Sequence, residues 1–152
     1  DELDQMPRLS RFLFGDWLRT SSLEEIREKD GKTSFGAGYV CRRGISHYRR
    51  ISLSSSCLLV DDEIKGFKSK AELRWRLAPG EWELVHGDLV VKIRSLDFPD
   101  FSLSVRASSP WLRCELKDGW ESLHYFEKTA LSVLEIETKS KCKFTTEVRW
   151  SD

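Results

Sequence analysis

The chain contains no asparagine at all, so it offers no Asn-x-Ser/Thr acceptor for N-linked sugar. It also lacks any apolar run near the roughly 20 residues that a membrane-spanning helix requires. The longest such runs are about four residues, as in Cys57-Leu58-Leu59-Val60. No CxxC pair joins its cysteines, Cys41, Cys57, Cys114 and Cys142, whereas structural zinc sites use short paired spacings. These thiols are expected to be small core residues, although an even count also allows two disulfides in three pairings. A surplus of either charge is missing too: 25 Lys and Arg balance 25 Asp and Glu. A general nucleic-acid binder needs a surplus of basic charge, so the neutral balance argues against that class, while a local basic face stays open.

Catalytic signatures are equally scarce. There is no HExxH and no GxSxG, and Gly36-Ala37-Gly38 is too short for a dinucleotide fingerprint. Those glycines are expected where a crowded strand bends. The three histidines, His47, His86 and His124, show no paired spacing. His86 precedes Gly87 in an expected turn. His47 and His124 each precede a tyrosine, and along a strand only one member of such a pair can face inward. An inward histidine could ligate haem or meet a bilin carboxylate, or simply be a half-buried ring satisfied by a neighbour.

What the chain does have is bulk and alternation. Its 152 residues suit one domain spanning 1–152, and six Trp with eight Phe supply large core side chains. A leading Asp1 in place of Met fits a soluble organellar protein whose targeting peptide has been removed, and equally a fragment of a longer chain. The dominant period is two. "AELRWRL" sets Ala71, Leu73, Trp75 and Leu77 against Glu72, Arg74 and Arg76, and "FSLSVRA", "LRCELK" and "KCKFTTEVRW" repeat the pattern.

Turn signals punctuate these segments. Asp30-Gly31 and Asp118-Gly119 are hairpin dipeptides, and Pro79-Gly80 and Gly87-Asp88 read as short reversals. Pro99 and Pro110 interrupt strands. Strands are therefore predicted at 16–28, 33–42, 45–55, 68–77, 81–86, 88–96, 101–107, 111–117, 120–127, 130–138 and 142–150, with 54–66 as an exposed loop. The segment 22–31 also carries helix signals, a Ser22 cap, Glu25 and a closing Gly31, but its flanking Trp17 and Phe35 suit an opening hairpin. The expectation is an all-β, single antiparallel up-and-down barrel of about ten strands, preceded by a short helical turn at Leu9–Gly15.

A short apolar turn leading into Gly15-Asp16-Trp17 at the head of such a meander resembles the calycin barrels, the lipocalins and fatty-acid-binding proteins among them. In that group the tryptophan closes one end of the barrel and an arginine of the last strand covers it. The resemblance implies that role for Trp17 and Arg149. A second resemblance is to the S-type phycobilin lyases, through Phe12, Phe14, Gly15, Trp17, Arg19, Thr20 and Ser21, and through Phe144-Thr145-Thr146-Glu147-Val148-Arg149. The Trp17–Arg19 interval is shorter here, and the histidines that follow the lyases' Arg-Thr are absent. It implies a bilin chromophore lyase or chaperone, with a tetrapyrrole as the bound molecule.

From strand parity, Tyr48, Trp75 and Tyr125 are candidate cavity residues and Arg49 a candidate anion contact. The run "CRRGISHYRR" concentrates Arg42, Arg43, Arg49 and Arg50 around an expected turn at Gly44. Guanidinium forks suit carboxylates and phosphates, and a solvated hairpin is the plainer reading. Three functions are thus expected: a non-enzymatic ligand-binding barrel for an apolar or flat conjugated molecule, an accessory subunit that meets partner proteins through Trp111 and Trp120, and the bilin lyase.

Overall fold

The computed structural model describes residues 7–15 and 17–151. Among them the chain forms strands and no helix: β1 (Arg19–Leu23), β2 (Arg27–Lys29), β3 (Lys32–Val40), β4 (Ser46–Leu53), β5 (Cys57–Lys65), β6 (Ala71–Arg76), β7 (Trp82–His86), β8 (Val90–Ser95), β9 (Ser102–Ala107), β10 (Arg113–Glu121), β11 (Thr129–Thr138) and β12 (Cys142–Arg149). All pairings are antiparallel.

The strands divide between two sheets. The larger runs β1-β3-β4-β5-β12-β9-β8-β7 with β2 beside β3, and the smaller runs β10-β11-β6. Neither sheet closes on itself and no pairing joins them, so the described residues form an open two-layer arrangement where a single barrel was expected. The reason lies in β6, which leaves the meander to pair with the distant β11.

Alternation explains which faces meet. Leu73 and Leu77 of the β6 segment and Leu134 and Ile136 of β11 pack against Val91 and Ile93 of β8, Leu103 and Val105 of β9, and Phe144 and Val148 of β12. Fully buried side chains such as Phe144, Ile93, Leu134 and Ile136 each contribute about 1.5–3 kcal/mol of burial free energy. The smaller sheet covers only the β12-β9-β8 half. The wing of β3 and β4 is left bare on the same side, with Phe35 and Leu53 exposed.

On its other face the smaller sheet carries a charge ladder. Glu135 is buried beneath Lys117 at 2.6 Å, Arg74 at 3.1 Å and Arg113 at 3.3 Å. Burial pushes its carboxyl up, but these cations, Lys117 foremost, outweigh that and hold it below the usual carboxylate range.

Several expectations change. Segment 54–66 is mostly strand β5, because its acidic look hides alternation: Leu58, Val60, Asp62 and Ile64 share one face. Asp118-Gly119 is not a turn; β10 runs through it, paired with Ser132 and Leu131. Segment 16–28 is two short strands with an irregularity between Thr20 and Ser22, and Asp16 lies outside the described residues. The expected helical turn is instead a tight reversal, with an Arg8–Phe14 bridge and the Leu9 amide donating to the Leu13 carbonyl at 2.8 Å. Asp30-Gly31 does form the β2–β3 turn, both residues at positive φ (51° and 70°). All four cysteines are free thiols, and burial pushes the Cys114 thiol up to about 11.

Candidate anion-binding groove

The site begins with an acid at a core-facing position. The β4–β5 register sets Arg49 opposite Asp62, and alternation along β5 turns Asp62 inward beside Val60 and Ile64. An unpaired buried carboxylate is very costly, and Asp62 is only 1% exposed. Its compensation is complete on one side: Arg49 donates through Nε at 2.7 Å and Nη2 at 3.0 Å, and His47 Nε2 donates to Oδ1 at 2.6 Å. Burial pushes the Asp62 carboxyl up, but these two donors outweigh it and hold the group below its ordinary range.

The same contacts fix the cations. Arg49 lies over the Trp75 ring, its Cζ 5.3 Å from the centroid, and Trp75 Nε1 donates to Thr146 Oγ1 at 3.1 Å. The two sheets are thereby tied across their interface. Tyr39 meets the His47 ring edge-on, with centroids 5.4 Å apart. His47, held at Nε2, is an oriented imidazole on a buried carboxylate, an arrangement that can hold a proton at a defined place.

Arg49, His47 and Tyr39 line a groove of about 330 Å³ between the β3–β4 turn and the β5–β6 connection. Arg42, Arg43, Arg49, Lys70 and Arg74 border it, against a single lining carboxylate, Glu72. Gly66, at φ +82°, brings the β5–β6 connection against the Gly44 carbonyl. A Cβ there would collide with that backbone, so only glycine lets the two walls approach. A groove with this charge and these forked donors can grip carboxylate or sulfate groups.

Of the residues expected from sequence, the structure brings Arg49 and Trp75 together here. Tyr48 points to the opposite face of its strand and donates to Glu24, a bond that pushes the phenol up. Arg149 also lies on that outer face, its side chain 62% exposed and paired with Glu147 at 2.6 Å. Trp17 is 76% exposed, and Tyr125 sits 88% exposed in the β10–β11 turn. Sequence reasoning missed Asp62 and Tyr39. The signal for Asp62 was an acid at a position where alternation demands an apolar residue.

No family model and no curated protein matches the chain. Solved structures do match in fold. Heparan sulfate lyase HepC from Pedobacter heparinus superposes with a TM-score of 0.68 at 13% identity, over 89% of this chain and 22% of that one. A mutant of the same lyase gives 0.69 at 14% identity. Heparinase III, the BT4657 gene product, gives 0.66 at 14% identity over 87% of this chain and 21% of that one. This chain is similar in fold to a part of those proteins and spans about a fifth of their length.

Proposed function

We propose that this domain grips an anionic saccharide, carboxylated or sulfated, in the groove of Arg42, Arg43, Arg49, Lys70 and Arg74, as an accessory wall of a polysaccharide-processing protein. The observation that carries the reading is the groove itself: five cationic side chains border it with one lining carboxylate, Arg49, Lys70 and Arg74 being oriented by Asp62, Glu137 and Glu135 behind them. The fold neighbours, by their names, are lyases of heparan sulfate and a heparinase, which supports an acidic polysaccharide as the ligand class. Asp62 serves the grip by locking the Arg49 fork and the His47 ring before the ligand arrives, so little ordering is needed on binding. This reading joins two expectations, ligand binding and an accessory role, and replaces a flat apolar ligand by a charged one.

Calorimetric titration with heparan sulfate oligosaccharides and with an uncharged glucan tests it. The sulfated chain should bind, with affinity falling as salt rises, and R42A/R43A should weaken it about tenfold or more. Equal affinity for the neutral glucan, or no effect of the double variant, would remove the proposal.

A further inference from the structure

At the other open end of the two layers lies a second cavity, of about 530 Å³, with the opposite chemistry. Its walls are aromatic: Trp75 from the smaller sheet, Trp82 from the larger, Trp150 beyond β12, and Phe98 and Phe101 from the β8–β9 connection. Leu103 and Val148 form the floor. The charged groups at its border are Asp97, Asp100 and Arg76, so carboxylates outnumber cations where the groove shows the reverse.

The mouth is built in advance. Ser95, itself buried, accepts from the amides of Asp97 at 3.2 Å and Phe98 at 2.9 Å. Asp97 Oδ2 accepts from the Glu81 amide at 2.8 Å, and the Phe101 amide donates to the Phe98 carbonyl at 3.0 Å. Trp82 Nε1 donates to the Ala78 carbonyl at 2.9 Å and the ring meets Phe101 edge-on. The connection and both rings are therefore fixed without a ligand. The donors nearby are committed as well, since Arg76 Nη2 donates to the Trp120 carbonyl at 2.8 Å.

We infer that this aromatic mouth is a second site, for an uncharged pyranose ring. Flat aromatic faces stack on the C–H face of a sugar, and the carboxylates of Asp97 and Asp100 are acceptors for its hydroxyl groups. The same carboxylates repel sulfate and uronate, so the ligand differs from that of the basic groove. A purely apolar ligand would cover those acids without giving them partners, which is unfavourable. The site stands independently of the groove, and its residues Phe98 and Asp100 take no part in anion gripping.

The test uses the indole N–H signals of the six tryptophans in a 1H–15N NMR titration, assigned by single Trp→Phe variants. Cellotetraose, maltotetraose and laminaritetraose are the probes, with a tetramethylammonium salt alongside. A neutral tetrasaccharide at millimolar concentration should shift the Trp82 and Trp150 signals. Both Phe98 and Asp100 are exposed, so F98A and D100N should fold normally, and each should weaken binding about fivefold. R42A/R43A should leave this affinity unchanged, which separates failure here from failure of the groove. No shift with any of the three sugars, a response to the organic cation alone, or full binding by D100N would overturn the inference.

Discussion

Arg49 and Asp62 are register partners across β4 and β5, joined by two hydrogen bonds at 2.7 and 3.0 Å, and the carboxylate is buried. Removing either member strands the other. Asp62→Ala should cost about 1–3 kcal/mol of stability, because it takes the hydrogen-bond partner from His47 and from Arg49, whose side chain is 36% exposed and can still be hydrated. Asp62→Asn keeps the shape and an acceptor and should cost less. Chemical denaturation of the two variants checks the ranking; equal midpoints with the parent would contradict the buried-pair account.

Acid should unfold the protein through the same group. Asp62 and Glu135 both have carboxyls held below their ordinary values, so the unfolded chain binds protons more readily than the folded one. Their contribution is complete above the unfolded pKa of about 4 and is lost as pH falls through the lower folded value. Stability measured between neutral pH and about pH 2 should therefore drop steeply below pH 4. Asp62→Asn, which removes one titrating group, should show a shallower acid limb.

Gly66 holds the groove's walls together. Gly66→Ala places a Cβ against the Gly44 carbonyl at a positive φ of 82°, combining a left-handed penalty of about 1–2 kcal/mol with a backbone clash. Thermal denaturation should show a loss of about 2 kcal/mol or more. Affinity for the sulfated oligosaccharide should fall in the same variant. Gly31→Ala, where a Cβ meets nothing within 4 Å, should cost less and leave that affinity unchanged.

Trp75 couples the two layers. Trp75→Phe removes the indole donor to Thr146 and weakens the stacking surface under Arg49, for a loss of about 1–2 kcal/mol. Because Arg49 and Trp75 touch, a double-mutant cycle with Arg49→Lys should be non-additive by about 0.5 kcal/mol or more. Additive losses would mean that the guanidinium does not use the ring.

Much of the fold was legible because strand parity is local. The alternation of Leu73, Trp75 and Leu77, or of Phe144, Thr146 and Val148, needs only the pleat and one buried face. The Asp30-Gly31 turn was legible for a similar reason, since few other dipeptides accept positive φ at both positions. Asp118-Gly119 shows the limit: the same dipeptide is carried through β10 by continuous pairing to β11.

The sequence by itself therefore determined an antiparallel all-β chain, most of its strands, and the inward or outward side of residues in clearly alternating segments such as 71–77 and 142–149. Tertiary structure alone decided that β6 pairs with β11, leaving two open sheets, because strand partnership depends on contacts remote along the chain. It also decided the site. Asp62 looks like a loop acid until β4 is set beside β5, and only then do Arg49 and His47 satisfy it. Arg42 and Arg43 of the β3–β4 turn, Lys70 of the β5–β6 connection and Arg74 of β6 are far apart along the chain, and their meeting in one groove depends on how the sheets stack.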